Sequence, residues 1–210
     1  HAMLAAEQRL ATATTTTAPV APVTPARASA ALTAFETGTG TQLDPGQRAL
    51  VTTFATSSRL LVAGLGPAGS GKTTAMRAYA HIAGAAGIRV IALAPSAAAA
   101  DVLSADMGVH ADTLHKFLHE YTRGPHAVRL AAGQPVTGPA SMFALRPGDV
   151  VLIDEAGMAS TPHLDQITAI AARRGAVVRL LGDHQQLSSP AAGGALRLIT
   201  AEAGAAELTT

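Results

Sequence analysis

Two rhythms of apolar and polar positions alternate along this 210-residue chain. Short unbroken apolar runs stand at residues 59–65 (RLLVAGL), 88–94 (IRVIALA), 149–153 (DVVLI) and 176–181 (AVVRLL). Each is too short for a buried helix and rich in Val, Ile and Leu, so each predicts a strand buried on both faces. Between them lie stretches with helical spacing, at residues 73–86, 97 to about 107, 161–174 and 195–203. Strand followed by helix, repeated, predicts the α/β class: a parallel sheet of at least four strands flanked by helices. Ahead of the first strand, Asp44 can cap a helix, Pro45 fits its first turn, and Leu50, Val51 and Phe54 form its apolar stripe. His110-Ala111-Asp112-Thr113 opens another helix, with Leu114, Phe117 and Leu118 on one side. Residues 207–210 read as the start of a further strand.

The first forty residues follow neither rhythm well. Residues 4–10 allow a short helix, but residues 11–24 (ATATTTTAPVAPVT) are low-complexity Thr, Ala and Pro, with little to bury against the entropy of ordering. A second amphipathic piece spans residues 28–35 and is broken by Gly38-Thr39-Gly40-Thr41. The expected organisation is a cloning remnant at 1–3, a flexible N-terminal arm or linker with short helices at 4–42, and an ordered lobe at 43–210. Residues 123–147, rich in Gly, Pro and Ala without a clear period, are expected to form a loop or small insertion.

Composition narrows the classes. The chain has no Cys, which removes disulfides and thiolate metal sites and fits a cytoplasmic location. The formal net charge is +1 with acids and bases interspersed, so nucleic-acid contact has to be local. No apolar run approaches the roughly 18–20 residues of a membrane span, so no membrane partner is expected.

The richest chemistry sits in Gly66-Pro67-Ala68-Gly69-Ser70-Gly71-Lys72-Thr73, which fits the phosphate-binding pattern G-x-x-x-x-G-K-[ST] at every fixed position. Glycines let the backbone curl so that its N–H groups face phosphate oxygens, and the following helix adds its positive end. Lys72 can reach the outer phosphates, and the Thr73 hydroxyl is spaced to ligate Mg²⁺, with Thr74 as a near-equivalent. Downstream, the run 149–153 delivers Asp154-Glu155 at its carboxyl end. Asp154 would hold Mg²⁺ through water and Glu155 would act as the base that polarises an attacking water. After the last run, Gly182-Asp183 leads to Gln186, which can sense the γ-phosphate. Gln47, just ahead of the first strand, is either a solvated helix residue or a reader of both edges of adenine. His110, His115 and His119 lack a completing carboxylate or Cys at ligand spacing, so they read as ordinary surface histidines rather than a metal site.

Taken together, the phosphate loop, Asp154-Glu155-Ala156-Gly157-Met158 and Gly182-Asp183-x-x-Gln186-Leu187 resemble the RecD-like branch of superfamily 1 helicases, closest to the helicase part of conjugative relaxases. The resemblance covers roughly residues 43–210. It implies a RecA-like phosphate-loop ATPase lobe using ATP and Mg²⁺, with Gln47 as the adenine reader and Lys72, Glu155 and Gln186 in hydrolysis. It also implies single-stranded DNA as partner of the full-length protein, through Pro95, Ser96, Thr113 and His115. The first of these DNA motifs departs from the family pattern, since residues 97–100 are all Ala. The expectation is a first motor lobe whose second RecA-like lobe, with its completing arginine, lies outside these residues. The other class left open is a stand-alone ATPase switch acting on a protein partner, with Arg173, Arg174 or Arg179 as an internal arginine.

Overall fold

The computed structural model describes residues 2–20, 22–67, 69–183 and 194–208. At its centre is one sheet built from β1 (Leu61–Leu65), β2 (Val90–Ala94), β3 (Ala111–Thr113), β4 (Val150–Ile153), β5 (Val177–Gly182) and β6 (Ala206–Glu207). The strand order is β3-β2-β4-β5-β1-β6 and every neighbouring pair is parallel. This is the α/β, RecA-like architecture that the alternation and the motifs predict. The four predicted apolar runs become β1, β2, β4 and β5, and their burial on both faces explains why they do not alternate.

The helices are α1 (Ala2–Thr15), α2 (Pro25–Thr39), α3 (Pro45–Thr56), α4 (Lys72–Ala85), α5 (Ala97–Met107), α6 (Leu114–Thr122), α7 (Ala127–Ala132), α8 (Thr161–Arg174) and α9 (Gly194–Ala203). Parallel strands put all their carboxyl ends on one edge of the sheet. The phosphate loop therefore leaves β1, Asp154-Glu155 leaves β4, and Asp183 leaves β5, which runs between those two strands. Three motifs spread over more than a hundred residues converge through topology alone.

One expectation needs correction. Residues 4–42 are not a loosely draped arm. α1 packs against α8 and α9, α2 packs against α4 and α3, and Leu10, Ala28 and Leu32 are fully buried. Burying such a Leu contributes about 1.5–3 kcal/mol, which offsets the poor helix propensity of Thr. The threonines also bond their own helix: the hydroxyls of Thr12, Thr14, Thr15 and Thr16 donate to carbonyls three or four residues back. Thr16 and Ala18 then form backbone bonds with Leu60 and Ser58, stitching the segment to the entrance of β1.

Residues 123–147 take the second of the two expected forms, a small insertion rather than a bare loop. α7 and a short 3₁₀ helix (Pro139–Phe143) fold back on α6, where the Tyr121 hydroxyl donates to the Phe143 carbonyl at 2.9 Å and accepts from the Leu145 N–H at 3.1 Å. Leu130, Phe143 and Leu145 are buried.

Candidate nucleotide-binding site

The loop after β1 is held open by its glycines. Gly71 takes φ 73°, and a Cβ there would stand 2.0 Å from the Gln47 amide nitrogen; one at Gly66 would meet Leu208 at 2.6 Å and Ser70 at 2.8 Å. Either side chain would close the cradle. Ser70 turns inward, its hydroxyl donating to the Pro67 carbonyl at 2.7 Å, and Gly69 adopts φ 79°. The Gly66 N–H donates to the Gly182 carbonyl at 2.9 Å, so the ends of β1 and β5 are fixed together. Ala68 and Gln186 lie outside the described residues.

Lys72 opens α4 and its side chain stays partly exposed, with Nζ 4.0 Å from Asp183 Oδ2. Asp183 is itself buried, with 6% exposure. Asp154 follows β4, where its backbone N–H donates to the Leu93 carbonyl of β2 and its Oδ1 accepts from the Glu155 N–H at 2.8 Å. Burial pushes the Asp154 carboxyl above the usual carboxylate range. That N–H bond and nearby Lys72 oppose the shift, while Glu155 and Asp106 reinforce it. Glu155 adopts φ 49°, the one non-glycine residue with positive φ among those described. A left-handed backbone costs an ordinary side chain about 1–2 kcal/mol, and here the strain sits on the expected base.

Thr73 is exposed, and its hydroxyl donates to Asp106 Oδ2 at 3.0 Å; Thr74 lies beside it in the first turn of α4, partly buried. Gln47 is buried and bonded at both ends of its amide. Its side-chain oxygen accepts from the Asp44 N–H at 3.0 Å, closing a capping box on α3, and its amide nitrogen donates to the Gly71 carbonyl at 3.3 Å. It therefore props the phosphate loop in this state.

Ser96 and Thr113 cap α5 and α6, accepting from Ala99 and Lys116 N–H groups at 3.2 and 3.1 Å. Because Ala94 pairs with Thr113 in the sheet, these caps stand side by side, with Pro95 partly buried between. The exposed His115 ring meets His163 edge-on at 4.8 Å. Burial and then His115 hold the His163 imidazole below its usual pKa. Among the described residues no three His, Asp or Glu side chains gather closely enough to hold a metal by themselves. Mg²⁺ normally takes only one or two carboxylates together with substrate phosphates, so this fits a metal carried in with a nucleotide.

Two partners escaped the sequence reading: Asp183, seen there only as part of a pattern, and Asp106, not singled out at all. Each meets the loop only through the fold, thirty or more residues away. The three arginines considered for an internal finger do not reach the site. Arg173 and Arg174 end α8 before β5 begins, at the opposite edge of the sheet, and Arg179 is buried within β5.

The site's elements, a phosphate loop, an acidic pair and a parallel sheet that joins them, define a phosphate-loop nucleotide-binding lobe. The AAA domain family matches residues 42–210, and the chain belongs to this RecD-like helicase family. It is 31% identical over 182 residues to the conjugal transfer protein TraA of Agrobacterium fabrum, covering 87% of this chain and 15% of that protein. It is 33% identical over 150 residues to a probable conjugal transfer protein TraA of Sinorhizobium fredii, covering 71% of this chain and 12% of the relative. The chain thus spans only 12–15% of the length of these relatives. The 87% share is more than residues 42–210 can supply, so the likeness reaches back into α2. No helix among the described residues is long and apolar enough to cross a membrane.

Proposed function

We propose that this chain is the ATP-binding first motor lobe of a DNA helicase, the helicase part of a conjugative relaxase that acts on single-stranded DNA in plasmid transfer. The observation that carries the reading is the meeting of Lys72, Asp183 and Asp154-Glu155 at one sheet edge, in a family member similar to conjugal transfer proteins. Lys72 binds the outer phosphates, the loop N–H groups bind the rest, and Glu155 holds the proton of the attacking water. Thr73 and Asp154 would hold Mg²⁺, which neutralises phosphate charge when bound. The buried Asp154 carboxyl fits such an ion, since an adjacent dication offsets the cost of keeping it ionised. Gln47 keeps a second amide N–H and a second oxygen lone pair beyond its bonds to Gly71 and Asp44, so base recognition there is coupled to the shape of the loop through the same amide. Gln186 completes the set as the γ-phosphate sensor.

On the neighbouring strand ends, Ser96 and Thr113 each accept from a helix N–H and keep a hydroxyl proton to donate to a DNA phosphate. His115 adds an exposed ring. Translocation needs a second lobe to move against, and an arginine brought to the γ-phosphate can contribute roughly 10³–10⁵ in rate. The test is ATP turnover by this chain, with and without single-stranded DNA, and again with the second RecA-like lobe supplied in trans. Slow turnover alone and DNA-stimulated turnover with the added lobe are expected. Fast DNA-independent turnover by the chain alone would overturn the reading.

A further inference from the structure

Thr73 and Asp106 are brought together by the packing of α4 on α5, and their hydrogen bond decides where the Thr73 hydroxyl proton points. A hydroxyl has one proton and two acceptor lone pairs. With the proton committed to Asp106 Oδ2, the lone pairs of Thr73 Oγ1 face away from that carboxylate and are available to a cation. Asp154 does not take this proton; its Oδ1 accepts from the Glu155 backbone instead.

A second feature marks Asp106 as more than a surface acid. It lies in the last turn of α5, where the helix dipole disfavours negative charge. A residue that opposes its own helix, yet bonds the hydroxyl beside the phosphate loop, breaks a local rule where a functional gain is on offer.

We propose that Asp106 is a positioning residue for the nucleotide-bound divalent cation, holding the Thr73 hydroxyl so that its oxygen is presented to the metal. Asp106 does not touch the ion; it acts through Thr73 as an outer partner. Without it, the hydroxyl can donate to a phosphate oxygen and its lone pairs turn away from the metal. Loss of such a partner typically weakens metal affinity about 10–100-fold.

The inference rests on the metal-nucleotide reading of this site, and the experiment separates the two. A non-hydrolysable ATP analogue is titrated calorimetrically into the 210-residue chain, with Mg²⁺ and then with excess chelator, for the parent, Asp106→Ala and Asp106→Asn. The parent should bind more tightly with Mg²⁺. Asp106→Ala should leave metal-free affinity unchanged within about twofold and cut the gain from Mg²⁺ about tenfold. Asp106→Asn, whose amide oxygen still accepts the hydroxyl, should keep most of that gain. An undiminished Mg²⁺ gain in Asp106→Ala would overturn the proposal, as would an equal loss with and without Mg²⁺, which would assign Asp106 to the shape of the loop. A parent chain that binds the analogue equally well in chelator would sink the metal-nucleotide reading itself.

Discussion

Lys72 and Arg179 are both cations set against the same sheet, and they are held in opposite ways. Arg179 is 2% exposed, and its guanidinium donates to the carbonyls of Phe54, Ser57, Arg59 and Val178 at 2.8–3.0 Å, with Tyr79 close by. Burial lowers its pKa and Tyr79 partly restores it. Lys72 is partly exposed, and the nearest carboxylate oxygen among the described residues is 4.0 Å away, beyond hydrogen-bond length. One cation is spent on protein carbonyls and locks the α3–β1 junction to β5; the other stays partly exposed at the phosphate loop, where the proposed function gives it a ligand. Arginine suits the first task because its fixed fork serves several acceptors, and lysine suits the second because its single charge rides on a flexible stem.

The largest expected effect that separates the two regions is on stability. Arg179→Ala removes the donor from four carbonyls at once and opens space beside an existing cavity of about 30 Å³. Orphaned buried acceptors cost about 1–3 kcal/mol each, so a loss of roughly 4–6 kcal/mol is expected. Urea unfolding measures it. A loss below about 1 kcal/mol would mean that water replaces the guanidinium, and the contrast with Lys72 would collapse.

That contrast was hidden in the sequence. The run 176–181 shows an arginine inside an apolar strand, and a strand buried on both faces carries no alternation to say which way it points. The strands, the loop and the acidic pair were legible because each is local: apolar runs, glycine spacing, adjacent carboxylates. α1 was not, because its stability comes from Leu10 and from contacts with α8 and α9 rather than from its Thr-rich composition. β3 was missed because three residues are too few to show a period, and they pair only because Ala92–Ala94 lie alongside. Residues 123–147 hid a packed segment because its anchors, Leu130, Phe143 and Leu145, are too widely spaced to form a pattern.

At the carboxyl edge the effects fall on chemistry instead of folding. With a second lobe present, Glu155→Gln should bind an ATP analogue normally and hydrolyse ATP about 10²–10⁴-fold more slowly, the usual reach of a general base. Single-turnover kinetics would check this, and normal hydrolysis would remove Glu155 from the role. Glu155→Gly should relieve the left-handed backbone at φ 49° and raise thermal stability while still losing hydrolysis.

Lys72→Ala comes next. It should weaken analogue binding by about 2–4 kcal/mol, the cost of truncating one partner of a charge-assisted contact, with Tm shifted by only a few degrees. Calorimetric titration alongside thermal melting reads both quantities. If Lys72→Ala unfolded the chain as readily as Arg179→Ala, the division between a locked cation and a poised one would be wrong.

The smallest effect carries a sign that tests the same division from the acidic side. Burial raises the Asp154 carboxyl, so the folded state binds its proton more readily than the unfolded chain does. Above its folded-state value, the ionised Asp154 therefore costs the nucleotide-free protein stability. That cost is relieved as pH falls through the folded-state value, and is gone below the unfolded value of roughly 3.9. Asp154→Asn is neutral throughout and can still accept the Glu155 N–H. It should melt higher than the parent at pH 7, with the advantage shrinking as pH approaches 4. Saturating Mg²⁺ and analogue should reverse the order, because ligand stabilises the parent in proportion to its tighter binding. Melting curves at two pH values, with and without Mg²⁺ and analogue, measure all four corners. A variant less stable than the parent in every corner would make Asp154 a structural acid, held as firmly as Arg179 and not waiting for a metal.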